Sequence, residues 1–531
     1  MKKQAKIWYA SVLSAAAALY LGWRIFATIP YDHGVLSVIL ALILLFVEVI
    51  GCIELISFVW FYAAEQPESA VKPKKNARPD AVDVMVTTCG EPTELLRRTL
   101  SGCLTMRYEG KKTIWLLDDA GRMEMKELAE EMGVRYLCRN NRENAKAGNL
   151  NAAIAKTKAP LIAVFDADMA PKPDFLEKTV PLMHSGVGFV QTPQSFINPD
   201  LFQKACEGMA IPNEQDFFYH SIEPSRNAVN AVVLAGSNML ISRRALTSTH
   251  GFVTGTLTED FATGIAIEKQ GYKGIAITDV LAEGEAPESL GSLIRQRVRW
   301  ASGCIQSGRQ AHLLFGKGLT FRQRLSYLMA VSYWYFPVKR LIYLLAPLLY
   351  SFFGIAVMRC DVRSAAIWWL PMFGLTVIGI PLLSKRTRTL GWSMFYETCL
   401  TPFLLVPVLR ESLGIHKKTF HVTDKSGKSD WQWWMALPHG IASAVLLTAL
   451  IMSVRLSLQE GSWQYVMLVF WNLYHFDLAL AGEIFVLCCR YSAAETEKRS
   501  CTHCLDKRAM FALKLPCLLT ALRNKERGVK G

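Results

Sequence analysis

The stretch Ile162-Ala-Val-Phe-Asp-Ala-Asp168 decides the fold. Four apolar residues run directly into two carboxylates spaced one residue apart, which reads as a short buried strand ending in an acidic loop. The same unit recurs on the N-terminal side. Val82–Thr87, Thr113–Leu117, Val134–Leu137 and Leu161–Phe165 read as strands, with helical stretches such as Glu94–Leu104 and Met125–Met132 between them. Such alternation predicts an α/β domain with a mostly parallel sheet. Ligands bind these sheets beyond the carboxyl ends of the strands. A second acidic pair, Asp118-Asp119, follows Ile114-Trp-Leu-Leu117 at just such an end. Carboxylates two apart on an extended stretch can face one side of a loop, where they suit a hard divalent ion on a diphosphate. Asp is also common in turns after strands, so one motif alone leaves the chemistry open. A third cluster, Thr258-Glu259-Asp260, lies downstream, followed by Arg295-Gln-Arg-Val-Arg-Trp300.

The rest of the chain is of another kind. Of its 531 residues 51% are hydrophobic, too many for soluble domains alone, and the length calls for more than one core. Apolar runs long enough to cross a bilayer account for the excess: Ile7–Ala27, Val35–Tyr62, Ser326–Val357, Ala365–Leu383, Leu437–Val454 and Val466–Leu487. Trp392–Leu409 carries Glu397, Pro402 and Pro407 and reads as a helix lying along the membrane surface. The first run is longer than a signal-peptide core and a second follows at once, so it reads as a retained anchor. The net charge of +14 could suggest nucleic acid, but the cations gather at segment ends. Lys2, Lys3 and Lys6, Lys72, Lys74 and Lys75, Lys385, Arg386 and Arg388, and Lys498 and Arg499 fall on one side. By the positive-inside rule both termini and the region 64–325 are then cytoplasmic, and no nucleic-acid partner is implied. The thirteen cysteines have no disulfide-like spacing, and Cys501-Thr-His-Cys504 lacks the second pair of a structural metal site.

Taken in order, Asp118-Asp119, Asp166-x-Asp168, Thr258-Glu259-Asp260 and Gln296-x-x-Arg299-Trp300 resemble the motif set of processive family 2 glycosyltransferases. The likeness is to bacterial cellulose synthase catalytic subunits and runs from about Val82 through the last membrane helix. Lys146-Ala-Gly-Asn-Leu-Asn151, Gln191-Thr-Pro193, Phe196-Ile-Asn-Pro-Asp200 and Gly236-Ser237 belong to it. So does Phe420-His-Val422-Thr423-Asp-Lys425, which is similar to the gating loop of that family.

The resemblance implies a GT-A domain inserted in a multi-pass α-helical membrane protein of the plasma (inner) membrane. Its parts would be a transmembrane hairpin (1–63), a cytoplasmic catalytic domain with interfacial helices (64–325), a channel bundle (326–490) with the gating loop at 414–428, and a basic tail (491–531). The tail is too short for the PilZ domain that many cellulose synthases carry. By the same resemblance the donor is UDP-glucose and the product a β-glucan secreted through the bilayer, with room for accessory export proteins on the periplasmic or cell-wall side. Thr88, Glu91, Asp118, Asp119, Lys146, Asp166, Gln296 and Arg299 would bind the donor, and Asp166 and Asp168 would hold Mg2+ or Mn2+. Asp260, beside Glu259, would be the general base. Trp300, Gly236 and Ser237 would face the acceptor, the indole ring lying against a sugar face, while Arg299 grips phosphate oxygens. Lys339 and Arg340, just after Tyr333-Trp-Tyr-Phe-Pro337, are intramembrane cations and so candidates for the path of the polymer.

The chain departs from the family near the acceptor. The family's Phe-Phe-Cys-Gly-Ser reads Val233-Leu-Ala-Gly-Ser237; Gln194 and Met169 each stand where histidine is usual, and Cys89-Gly90 replaces Tyr-Asn. The expected linkage is therefore mainly β-1,4 with room for β-1,3. Rival readings are a single-transfer enzyme acting on a lipid carrier, a synthase of a chitin-like or hyaluronan-like polymer, and a transporter or scaffold with an inactive domain.

Overall fold

Along β1 (Val82–Thr88), Val82, Val84 and Val86 alternate with Asp83, Met85 and Thr87, so the two sets point to opposite faces of the sheet. The valines pack on Leu96, Leu100 and Cys103 of helix Thr93–Thr105, whereas Met85 packs on Ala147, Leu150 and Ala153 of helix Ala145–Lys156. Apolar residues on both faces make this a sheet covered by helices on each side. In the computed structural model described here, residues 3–64, 80–205, 211–384, 387–415, 431–460 and 464–490 are described. Phe420, Val422, Thr423 and Lys425 of the expected gating loop, and Cys501 and Cys504 of the tail, lie outside them.

The strands that follow are β2 (Lys112–Asp118), β3 (Arg135–Cys138), β4 (Leu161–Asp166), β5 (Ala170–Pro171), β6 (Val187–Gln191), β7 (Ser195–Phe196), β8 (Met239–Ser242), β9 (Lys273–Ala276) and β10 (Ala282–Gly284). The main sheet has the order β3-β2-β1-β4-β8-β6-β9, and a small sheet the order β5-β10-β7. β3, β2, β1 and β4 are mutually parallel, while β8 runs antiparallel to both β4 and β6. Register brings the acidic motifs together: Thr88 lies opposite Asp118, and Thr87 opposite Asp166. Three neighbouring strands therefore end at one edge.

Among the described residues five helices are long and apolar enough to cross a membrane, and six spans result if the bent pair Val362–Trp368 and Leu370–Leu383 counts as one. Two expectations change. The run Ser326–Val357 is two helices, Phe321–Tyr333 and Phe336–Phe353, parted at Trp334-Tyr335. Pro337, in the first turn of the second helix, offers no N–H to the first and disfavours helical geometry just before it. The stretch assigned to the membrane surface is a 23-residue helix, Leu390–Ser412, that meets the same length and apolarity test as the spans. Its Trp392, Phe395, Tyr396 and Leu400 share a core with Leu293 and Ile305 of helix Leu290–Gln310 and with Phe485. Helix Gln464–Cys488 is long enough but falls outside that set, because Asn472, His475, Asp477 and Glu483 lower its hydropathy.

Candidate active site

At the end of β1 the chain turns through Thr88-Cys-Gly-Glu91, and one carboxylate oxygen of Glu91 ties the turn together. It accepts from the Thr88 hydroxyl (2.7 Å) and from the N–H groups of Cys89 (2.8 Å) and Gly90 (3.0 Å). Burial pushes the Glu91 carboxyl up, but these donors outweigh it and hold the group below the usual range. Arg122 reaches the same turn through the Thr88 hydroxyl (2.9 Å) and the Glu91 carbonyl (2.7 Å).

The two carboxylates after β2 differ. Asp118 is fully buried and shapes its own loop, accepting from the N–H groups of Ala120 (3.0 Å) and Arg122 (2.6 Å) and from Tyr136 (3.1 Å). Asp119 is gripped by Arg139 through two bonds of 2.5 and 2.9 Å. Neither arginine was singled out in the sequence; each lies on an adjoining loop, and only the parallel register reveals the pairing.

After β4, Asp166 accepts from the Lys146 ammonium, which also donates to the Gly236 carbonyl (2.6 Å). Burial pushes Lys146 down, but Asp166, Glu259 and Asp260 more than offset this and keep it an ammonium. Ser237 accepts from the Asp166 N–H at 2.9 Å. Gly236 has φ +84°, in the left-handed region, and a Cβ there would run into the carboxylate of Asp260. Lys146, Gly236 and Asp260 thus join the acidic strand end to the third cluster. Those residues were legible in the sequence; their contact was not.

Asp260 sits in the first turn of helix Glu259–Lys269 and accepts from the Phe261 N–H at 2.7 Å. Burial first, and Glu259 second, push its carboxyl up to about 7, against the pull of Lys146, that N–H and Arg299. A carboxylate poised near neutrality suits proton abstraction. Helix Leu290–Gln310 is fastened beside it: Gly303 packs against Thr258, and Gln306 accepts from the Leu257 N–H at 3.1 Å.

On that helix Arg297 is buried, pairs with Glu214 (2.5 Å) and lies 4.3 Å from the centre of the Trp300 ring. The cation stacked on the tryptophan is therefore Arg297, while Arg299 is close enough to Asp260 to favour its charged form. Gln296 has a buried side-chain oxygen with no hydrogen-bond partner among the described residues. Trp334 meets Trp300 edge-on at 6.5 Å. A cavity of about 1400 Å³ is lined by Asp260, Trp300 and Ala235, by Lys339 and Tyr474 of the apolar helices, and by Arg359.

A sheet parallel except for β8, with Asp-x-Asp at a central strand end and beside a bundle of long apolar helices, is the GT-A glycosyltransferase fold joined to candidate membrane spans. A mannosyltransferase from Pyrobaculum calidifontis, solved with GDP-Man and Mn2+, shares the fold at TM-score 0.52 and 17% identity, covering 72% of this chain and 100% of that one. The family described as glycosyltransferase like family 2 matches residues 79–303, and the cellulose synthase family matches 222–397. Each match spans less than half of the chain, and together they make it similar to family 2 glycosyltransferases and to cellulose synthases. It is 32% identical to the UDP-forming cellulose synthase 1 catalytic subunit of Komagataeibacter xylinus, over 79% of this chain and 57% of that protein. With the UDP-forming catalytic subunit of Pseudomonas fluorescens the identity is 34%, over 70% and 51% respectively. With cellulose synthase 2 of Novacetimonas hansenii it is 31%, over 82% of this chain but 28% of that one. The chain thus spans about half, or less, of the curated relatives it matches.

Proposed function

We propose that the chain polymerises glucose from UDP-glucose into a β-glucan, mainly β-1,4-linked, and passes the product across the membrane through the cavity that begins at Asp260. The continuity of that cavity from the candidate base into the helix bundle is the observation that carries this reading. A single-transfer enzyme acting on a lipid carrier has no use for a path through its own membrane helices. In this reading the catalytic domain and both termini face the cytoplasm, where nucleotide sugars are available.

Asp260 takes the proton from the attacking hydroxyl of the terminal sugar. One displacement on an α-linked donor inverts the anomeric centre and gives the β-bond, with no sugar–enzyme intermediate. Trp300 supports the terminal sugar with its ring face, and Arg297 stiffens that ring from beside it. Thr88 and Glu91, with Asp118 and Asp119 as their neighbours, form the uridine end. Lys146, Gln296 and Arg299 serve the diphosphate. Asp166 and Asp168 supply hard carboxylate oxygens that fit Mg2+ or Mn2+. Among the described residues no group of three or more His, Cys, Asp or Glu side chains could hold a metal. Mg2+ and similar ions are commonly held by one or two carboxylates, with the remaining places taken by water and substrate oxygens. When bound, such an ion supplies Lewis acidity at the departing diphosphate.

Ala235 and Gln194 line the cavity beside Asp260, and the Gln194 amide donates to the Ala235 carbonyl at 3.1 Å. The smaller Ala235 leaves room for the terminal glucose to shift and offer another hydroxyl, which is how β-1,3 bonds would arise among β-1,4 bonds. Purified protein given radiolabelled UDP-glucose should make a long insoluble product that cellulase digests, with lichenase-sensitive segments where β-1,3 bonds occur. A short lipid-linked product, or incorporation of N-acetylglucosamine instead, overturns the reading. Gly236→Ala should slow transfer by about tenfold, because its methyl group displaces Asp260. Donor affinity should stay near that of the parent, as calorimetry with UDP would measure.

A further inference from the structure

Glu54 lies on the N-terminal helix Gly34–Ala64, far in sequence from every motif of the site, yet it meets the chain at the break between helices Phe321–Tyr333 and Phe336–Phe353. One of its carboxylate oxygens accepts from the Ser332 hydroxyl at 2.6 Å and from the Lys339 ammonium at 2.8 Å, and the other accepts from Lys339 at 2.8 Å. Ser332 and Lys339 flank Trp334, so a single carboxylate spans the break that carries this tryptophan. From another side Arg340 bonds Glu397 at 3.1 Å, and Ser412 donates to the Tyr335 hydroxyl at 2.9 Å. The residues of the break are thus held from two directions, by Glu54 and by helix Leu390–Ser412. Glu54, Lys339, Trp334, Trp300 and Asp260 all line one cavity, whereas Thr88, Glu91 and Asp166 of the donor end do not.

We propose that Glu54 is a positioning residue for the acceptor: by clamping Ser332 and Lys339 it fixes Trp334 edge-on against Trp300 and so holds the terminal sugar at Asp260. The inference rests on the polymerase reading above. Its physical basis is the cost of a half-broken pair between partly buried side chains, Lys339 17% and Glu54 24% exposed in the cavity wall. Removing the carboxylate strands the Lys339 ammonium and frees the hydroxyl, so the break relaxes and the Trp300–Trp334 corner loosens. The acceptor should lose its register while the donor, bound elsewhere, keeps its own.

The test uses the full chain in lipid nanodiscs with UDP-glucose and Mg2+, measuring sugar built into insoluble polymer per UDP released. Glu54→Ala should lower that ratio about tenfold and shorten the product, with KM for UDP-glucose unchanged within about twofold. Glu54→Gln, which can still accept from Ser332 and Lys339, should retain most of the ratio. The exchange of Glu54→Lys with Lys339→Glu should recover more than Glu54→Ala alone. Should Glu54→Ala fail to fold, Ser332→Ala carries the test through a smaller fall in the same ratio. An unchanged ratio in the alanine variants overturns the inference. So does a loss that the glutamine variant and the exchange share in full, or one that moves with KM for the donor. Parent protein that releases UDP without making polymer overturns the polymerase reading instead, which keeps the two failures apart.

Discussion

Replacing Asp260 by Asn is expected to cut sugar transfer by about a thousandfold or more while UDP still binds, because the change removes the base and leaves the donor groups in place. The pH dependence gives a second handle. Burial and Glu259 push the Asp260 carboxyl up to about 7, so the fraction in the basic form rises with pH through that value. For the parent protein, kcat/KM should climb through about pH 7 and level off above it. The effect on stability has the opposite sign. A carboxyl with a folded-state pKa above its unfolded value binds protons more tightly in the fold. Its contribution is fully present below the ordinary carboxylate range and is lost as pH rises to about 7. Asp260→Asn removes this penalty, so above pH 7 the variant should melt at a higher temperature than the parent while transferring almost no sugar. Turnover near that of the parent, or a flat pH profile in the parent, would remove Asp260 from its role. An Asp260→Asn variant that melts below the parent above pH 7 would instead mean that the Lys146 interaction outweighs burial.

Much of this site could be read from the chain because the signals are local. A β-strand is recognised by a few consecutive residues; Asp118 and Asp166 end their strands, and Asp168 lies two residues further on. Parallel register then does the assembly, setting Thr88 beside Asp118 and Thr87 beside Asp166. What escaped notice depends on pairs distant in sequence. Arg297 is not marked out in the sequence because nothing nearby reveals its pairing with Glu214, 83 residues earlier. The Lys146–Gly236 bond spans 90 residues, and it is what turns two separate motifs into one site. The break inside the run Ser326–Val357 is hidden for another reason. A hydropathy run records how apolar a segment is but not where it bends, and Pro337 is the local signal for the break at Trp334-Tyr335. Polar residues on Gln464–Cys488 work the other way: buried Asn472 and His475 face protein, so a helix with modest hydropathy still sits inside the bundle.

Chelation should lower transfer to about a hundredth of its starting rate or less, and Mg2+ or Mn2+ should restore it. The argument is one of charge. Asp166, Glu259 and Asp260 all act on Lys146 near the place proposed for a diphosphate, which brings more negative charge of its own. Lys146 is shared with Asp166 and the Gly236 carbonyl, so its single positive charge does not by itself balance a diphosphate. Arg299 influences Asp260 at the acceptor side. A small hard cation would relieve this imbalance, since carboxylate and phosphate oxygens are its preferred partners. Asp168→Ala should accordingly weaken UDP binding as well as turnover, whereas Asp260→Asn should affect turnover alone. Calorimetric titration of UDP with and without EDTA separates the two effects. If UDP binds equally well without divalent ions and transfer continues, Asp166 and Asp168 hold no metal, and Lys146 with Arg299 must neutralise the diphosphate unaided.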